Sequence, residues 1–465
     1  MKHPQALSIL RILISALALI SLLPAGYALV SAGYLPARYL WIALPLYTVI
    51  VLVASIVMMR AKPHRRSVAF VCAAVLLLAT VINIGVYIAM RQTTFFMSGI
   101  QQASVSYVEY SVIAKKDSGT SLDSAATCGV IETDQQYSDV IKALASKTNA
   151  TPLNYKNLTS LFESLVTNQD IQIAALRSAS LSIVKDNNPD FYESIEVIGT
   201  FMVKEQHSAA PTADVAKPFA IYISGIDTYG DIGSASRSDV NILAAVNPDR
   251  RRILLVNTPR DYYVQLHGTT GIRDKLTHAG VYGIDMSRQT IQDLYGVEVP
   301  YYIRLNFSSL IKIVDTIGPI SVYSDYDFKS YKKGYNTLNS TQALEFSRER
   351  YSFEAGDRER GRNQQRVIEA IIAKLSEPRN IVHYNSLLGT LQGSVQTNIS
   401  QASLTTLANK QLDDMKRWQV TSIDVDGTGA TSPTYSMGAT PLYVMIPDQK
   451  TVDAAKMQIA DTLKP

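Results

Sequence analysis

Cysteine and histidine are scarce in this chain, and so is charge. Of 465 residues two are cysteine and six are histidine, and charged side chains make up 18%. Cys72 lies in an apolar run and Cys128 does not, so the pair excludes a disulfide framework and is not expected to bridge. Scattered histidines leave a structural zinc site without a ligand cluster. A net charge of +4 is too small to argue for nucleic-acid binding. Two catalytic signatures are also missing. Gly225 and Gly230 have the spacing of a phosphate-cradling loop, but Asp231-Ile232 stand where Lys and Ser/Thr are needed. No G-x-S-x-G elbow is present, which removes the usual signature of a hydrolase serine.

What the chain does have is unevenly distributed. The hydrophobic share is 47%, most of the charge falls after Met90, and the first ninety residues are almost wholly apolar. Such a chain is neither disordered nor a simple cytosolic enzyme. Its length suggests three parts at about 150 residues each. Ile12–Ala32, Tyr39–Met59 and Ser67–Met90 contain no charged side chain, and each reaches the ~20 residues needed to cross a bilayer. A cleaved signal would have one short apolar core, so three retained spans are expected within residues 1–91. Lys2 and Arg11 precede the first span, and Arg60, Lys62, Arg65 and Arg66 fill the second loop. The positive-inside rule then places the N-terminus and that loop in the cytoplasm, and everything after Arg91 outside. Nucleotide cofactors are scarce there, so a reaction must bring its own activated substrate.

Residues 104–204 read as a small α+β accessory domain. Tyr107–Ile113 alternates as a strand, and Thr133-Asp134-Gln135-Gln136 carries helix-opening cap chemistry. No catalytic cluster is legible in it, which suits a spacer or partner-docking module. Residues 205–217, small and polar with Pro211, read as a linker to a domain over 218–465. In that domain strands are expected at Phe219–Ile226, Val240–Asn247, Arg252–Thr258, Tyr301–Asn306 and Ile320–Ser324. Helices are expected at Ser287–Tyr295, Ser308–Ile317, Ser340–Arg350 and Asp357–Leu375. The pattern is α/β, a mixed sheet flanked by helices.

Charges converge in two places. A turn centred on Asp249 and Arg250 would set Asp239 opposite Arg260, to within a residue or two. Asp227 ends the preceding strand and would reach the same edge, the usual location of a site in open α/β sheets. The second place is the group Arg348, Arg350, Arg358, Arg360, Arg362 and Arg366. Gln364, Ile368, Ile371 and Leu375 share one helical face, and Arg360 extends that stripe towards the helix start. An arginine on a core face needs an anionic partner, and phosphate suits its bidentate fork. Carboxylates for a hard cation and arginines for phosphate oxygens are what phosphoryl transfer requires.

At these residues the sequence resembles the LytR-CpsA-Psr family of Gram-positive envelope enzymes. The matching stretches are Gly225-Ile226-Asp227, Arg237-Ser238-Asp239-Val240-Asn241, Thr258-Pro259-Arg260-Asp261, Asp274-Lys275-Leu276-Thr277-His278-Ala279, Phe346-Ser347-Arg348-Glu349-Arg350 and Arg360-Gly361-Arg362-Asn363-Gln364-Gln365. With three spans and an accessory domain, the chain resembles the family's capsule-locus branch of streptococci and their relatives. The resemblance implies transfer of a glycan, capsular in this branch, from a polyprenyl-pyrophosphate carrier to a peptidoglycan hydroxyl. It implies Asp227 and Asp239 as ligands of Mg²⁺, with Mn²⁺ as an alternative. Arg260, Arg348, Arg350, Arg360 and Gln364 would bind pyrophosphate, Lys275 would lie near the head group, and the lipid tail would occupy an apolar cleft between sheet and helices. Asp239 and Arg260 would carry the catalysis, with capsule-assembly membrane proteins as further partners. His278 is either a general base or a supporting residue at a helix entry, and a metal-bound Asp239 is a weak base. Two other readings fit the same residues: a lipid-pyrophosphate hydrolase, and a non-enzymatic membrane regulator of polymer synthesis.

Overall fold

A computed structural model describes residues 3–33, 37–62, 66–101, 105–206, 214–226, 236–354, 356–375, 377, 395–414 and 416–465. The chain forms two compact units. The first contains α1 (His3–Ala32), α2 (Ala37–Arg60) and α3 (Arg66–Gln101). Three stretches in them are long and apolar enough to cross a membrane: Leu7–Ser31, Arg38–Arg60 and Arg66–Arg91. The third helix runs on past the expected end of its span to Gln101. Their outer surfaces are apolar, and Ala18, Val51, Met58, Leu76 and Ala79 pack inside. Hydrocarbon offers no gain for burying one leucine against another, so polar links matter more there. Asn83 of α3 supplies one, donating to Ser21 Oγ of α1 (3.0 Å) and accepting from Tyr47 of α2 (3.2 Å). A later helix, α13 (Gln401–Asp414), joins this unit: Asn409 donates to Gly33 O (2.8 Å), and Arg38 pairs with Asp413 at 3.1 Å.

The second unit begins with a five-stranded sheet of β1 (Val105–Lys115), β2 (Thr127–Ile131), β3 (Thr151–Tyr155), β4 (Ile173–Arg177) and β5 (Ile195–Gln206), in the order β3-β2-β4-β1-β5. Alternation along β1 sends Val108, Tyr110 and Val112 to one face, against Val140 and Leu144 of α4 (Tyr137–Ala145). The other face packs on α5 (Leu158–Phe162) and α6 (Ser180–Asn187), and short α7 (Pro189–Glu193) precedes β5. The helix opening expected at Thr133–Gln136 is displaced: α4 starts at Tyr137 without a side-chain cap. Asp134 instead accepts from the Gln136 amide (2.8 Å) and forms a two-pronged pair with buried Arg177, at 2.9 and 2.8 Å. Burial pushes the Asp134 carboxyl up, but the charge and hydrogen bonds of Arg177 outweigh it and hold the group below its usual range.

The principal sheet has six strands in the order β14-β11-β6-β7-β8-β15. These are β6 (Phe219–Ile226), β7 (Ser238–Asn247), β8 (Arg252–Asn257), β11 (Tyr301–Asn306), β14 (Val395–Thr397) and β15 (Gln419–Asp424). β6 runs antiparallel to β7 and parallel to β11, and β8 runs parallel to β15. Both faces are covered, which is why the strands read as nearly continuous apolar runs. On one face Tyr222, Leu243 and Val256 meet α9 (Ile284–Tyr295) and α14 (Gln449–Thr462). On the other lie α10 (Phe307–Ile317), α11 (Ser340–Arg348) and α12 (Asp357–Leu375). Asn306 and Asn339 start α10 and α11 with reciprocal capping boxes, using Ser309 and Gln342. The expected strand Ile320–Ser324 (β12) leaves the main sheet and pairs with β13 (Gly334–Leu338) as a separate hairpin. The remaining elements are β9 (Tyr263–Val264) with β10 (Asp274–Lys275), α8 (Leu276–Ala279), and β16 (Gly427–Thr434) with β17 (Gly438–Pro447).

The segment 105–206 is not held only by its chain connection. Residues 207–213 of the expected linker lie outside the described residues. Val281, Met437 and Leu442 from the later part share a core with Leu161, Phe162 and Ile183. The Leu158 amide donates to Ser436 O at 2.9 Å, and Arg177 lies over the Tyr282 ring at 6.0 Å. The Asp134–Arg177 pair is therefore part of this shared packing. Asp134→Ala leaves an uncompensated buried guanidinium and is expected to cost about 3–5 kcal/mol in urea unfolding of the whole chain. Replacing both partners by apolar residues of similar size should recover most of that loss, as read by circular dichroism.

Candidate functional site

The β7–β8 hairpin pairs Ile242 with Asn257 and Asn247 with Arg252, the register anticipated from the position of its turn. The ladder continues through the Thr258 amide, which donates to Asn241 O at 2.9 Å. Beyond it Arg260 Nη1 lies 2.6 Å from Asp239 Oδ1, and Thr277 donates to the same carboxylate oxygen at 3.2 Å. Asn241, fully buried, accepts from Tyr222 at 2.6 Å and donates to Ser238 O at 2.9 Å. These bonds shape the strand end, where β6 and β7 slip register between Gly225 and Ile226.

A cleft of about 760 Å³ opens from this point between the sheet and α10–α12. Its polar end brings together Asp239, Arg260, Arg348, Arg350, Arg360 and Gln364. Ile223, Val240, Leu310, Leu344, Val367 and Ile368 line its apolar part. Six of the eight residues singled out from sequence thus share one cleft. Asp227 lies outside the described residues; Ile226, just before it, ends β6 opposite Ser238. Lys275 is absent from the lining: buried, it pairs with Asp261 at 3.1 Å, and Asp261 in turn approaches Arg260 Nε at 4.0 Å. Among the lining residues six side chains are basic (Arg237, Arg260, Lys329, Arg348, Arg350, Arg360) and four acidic (Asp186, Asp239, Glu345, Glu349). The positive surplus suits an anionic guest.

The arginine cluster separates into two sets. Arg358 pairs with Asp426; Arg362 bonds Asp424 at 2.9 Å and Glu359 at 3.1 Å; Arg366 bonds Glu359 at 2.8 Å and also Asp325. These three fasten α12 to its surroundings. Arg360 faces the cleft at 8% exposure, as its helical phase predicted. The helix is nonetheless buried on more than that one stripe, since Glu359, Asn363 and Gln365 are buried as well. Gly361 makes this possible: a Cβ there would lie 2.5 Å from Asn257 Nδ2, so α12 rests directly on the end of β8. Behind that contact a cavity of about 20 Å³, room for a single water, shares Asp239, Arg260 and Gln364 with the cleft. The Asp239–Arg260 pair therefore faces both spaces.

His278 reaches neither space. It is 1% exposed, and its Nδ1 meets both Asp274 (2.7 Å) and Ser436 (3.0 Å). Serine and carboxylate on the same ring nitrogen do not form a proton relay, and the geometry gives His278 the supporting role. Among the described residues no three His, Cys, Asp or Glu side chains group as a metal cage. Asp239 is the carboxylate that both the cleft and the small cavity share at this strand edge.

Sequence reasoning missed Lys329, which bonds Glu345 at 3.3 Å and Glu349 closely. It stands in the β12–β13 connection, remote in the chain from its partners. Burial pushes the Glu349 carboxyl up, but bonds from Lys329 and the Ser352 amide outweigh it and hold it at about 2.

The fold and the cleft define an α/β protein with three helices apolar enough to cross a membrane and a cleft that joins a positively charged end to an apolar lining. The LytR_cpsA_psr family model matches residues 189–459, and the chain belongs to that family. It is similar to the polyisoprenyl-teichoic acid--peptidoglycan teichoic acid transferase TagU of Bacillus cereus, 30% identical over 254 residues that cover 54% of this chain and 79% of that protein. The protein of the same name from Enterococcus faecalis is 32% identical over 208 residues, 43% of this chain and 64% of that one. Among solved structures, gbs0355 of Streptococcus agalactiae aligns at 28% identity and a TM-score of 0.46, over 53% of this chain and 88% of that one.

A depressed carboxyl stabilises the folded state above its ordinary value, 4.5 for Glu349, and that contribution disappears as pH falls through about 2. Lys329→Ala should lower the melting temperature at neutral pH and flatten its decline between those two values, as thermal melts across pH would record.

Proposed function

We propose that this protein moves a glycan from a polyprenyl-pyrophosphate carrier onto peptidoglycan outside the cell membrane. The observation that carries this reading is the composition of one cleft: a cationic end at Arg260, Arg348, Arg350 and Arg360 that continues into an apolar channel. A lipid diphosphate has the same two-part character. The relatives named as polyisoprenyl-teichoic acid--peptidoglycan transferases support the class of donor and acceptor, and a capsular glycan as cargo rests on the resemblance of three spans and an accessory segment to the family's capsule-locus branch.

In this mechanism Arg260 and Arg360 hold the diphosphate, with Arg348, Arg350 and Gln364 around it, and the apolar lining takes the tail. An acceptor sugar hydroxyl attacks the phosphorus that bears the glycan. A new P–O bond forms, the P–O bond to the bridging oxygen breaks, and polyprenyl phosphate leaves, the hydroxyl proton passing to its freed oxygen or to solvent. Guanidinium groups act by neutralising charge that builds on the phosphate oxygens and the leaving group. Asp239, together with Asp227, would hold Mg²⁺ (Mn²⁺ as the alternative), which supplies further charge neutralisation. Arg260 then has two tasks, orienting the Asp239 carboxylate and binding phosphate. Lys275, through Asp261, would steady Arg260 from behind. With three spans and the N-terminus inside, everything after α3 would lie on the face of the membrane opposite the basic second loop. The basic second loop assigns this face to the exterior, where capsule-assembly membrane proteins would be neighbours.

Arg260→Ala and Asp239→Ala are each expected to lower transfer of radiolabelled glycan to cell-wall sugar by about 10²-fold or more, with the protein still folded and inserted. Unchanged attachment in both variants would overturn the proposal. Label recovered as free glycan from the wild type would assign the cleft to hydrolysis instead.

A further inference from the structure

The accessory segment reaches the cleft. Asp186, in the last turn of α6, lines it and pairs with Arg237, the residue that stands two places before Asp239. A carboxylate near a helix C-terminus is disfavoured by the helix dipole, so α6 does not gain from an aspartate at this position. The benefit lies with its partner.

Both ends of the pair are held by backbone rather than by chance side-chain contact. On the accessory side Ile183 and Val184, one turn of α6 before Asp186, are 0% and 1% exposed in the shared core. On the other side Ser238 is buried and hydrogen-bonded to Ser224 at 2.7 Å. Gly280 presses on the same stretch: a Cβ there would lie 2.5 Å from Ser236 O and 2.7 Å from Ser238 N. The next residue, Val281, packs in the shared core, and Tyr282 stands against Arg177. One short turn, Gly280–Tyr282, therefore links the backbone around Arg237 to the accessory segment.

We infer that Asp186 is a positioning residue for this cleft. The accessory segment contributes a fixed carboxylate that orients the Arg237 guanidinium at the cleft wall, so that it meets an anionic head group without first losing rotamer freedom. The inference rests on the diphosphate reading of the cleft. Two effects oppose each other when Asp186 is removed. Loss of orientation weakens anion binding, while loss of a negative charge strengthens it. The Asp186 side chain is half-exposed, so solvent of high dielectric weakens the second effect, and on this inference orientation prevails.

The test uses the full-length chain in detergent at 0.15 M salt, with farnesyl pyrophosphate as the probe in calorimetric titrations. Wild type, Asp186→Ala, Arg237→Ala and the double variant form a cycle. Asp186→Ala should raise Kd about fivefold, the upper range for an exposed ion pair, with an unchanged melting temperature. It should add nothing when Arg237 is already alanine, and Asp186→Glu should restore part of the affinity. An unchanged or lowered Kd in Asp186→Ala would overturn the inference, as would effects that multiply in the double variant. Wild-type protein that does not bind the probe would overturn the diphosphate reading itself, and the inference with it.

Discussion

The contact between Asp239 and Arg260 depends on the pairing of two strands, and most of what surrounds it depends on that contact. Ile242 lies opposite Asn257, and the ladder runs on to Thr258, so the two strand ends deliver an acid and a base to one point. A slip of one residue would turn every side chain of β7 to the other face. Leu243 and Ala245 would then leave the core they share with α9 and α14. The burial of these apolar side chains thus holds the register, and the register holds the ion pair. The polar site is positioned by apolar burial on the opposite face of the same strands.

Beside that pair the chain places a dense group of arginines and resolves it by local partners. Asp424, Asp426, Asp325 and Glu359 occupy Arg358, Arg362 and Arg366, which makes those three parts of the scaffold. Arg348, Arg350 and Arg360 line the wall of the cleft. Like charges so close together repel, and the buried carboxylates Glu349 and Glu359 temper that repulsion. Lys329 performs the reciprocal task for Glu349. The cleft's surplus of positive charge is flanked by neighbours that are balanced pair by pair.

The accessory sheet takes part in this arrangement instead of hanging from it. Its core is continuous with Val281, Met437 and Leu442, so the orientation of α6 is decided by packing with the later part of the chain. Asp134 and Arg177 mark the same joint with charge, buried and mutually satisfied. A buried pair is weak as a source of stability but costly to break, which makes it a strong constraint on how the two parts meet.

Much of this was legible along the chain. Apolar runs of sufficient length announced the spans, a short apolar run marked β6, a helical stripe marked the cleft-facing side of α12, and a turn at Asp249–Arg250 implied the meeting of Asp239 with Arg260. These signals are local, or depend on a single hairpin, so residue order suffices to read them. Other features come from contacts between residues far apart in sequence. Residue order could not reveal that Asp134 abandons a helix cap for Arg177, or that β12 leaves the main sheet for β13. Nor could it reveal that Lys275 turns to Asp261, that His278 is enclosed by Asp274 and Ser436, or that Asp186 stands beside Arg237. In each case a charged or polar group was free to choose among partners at similar sequence cost. The choice fell to whichever partner the packing of distant elements brought within hydrogen-bond reach.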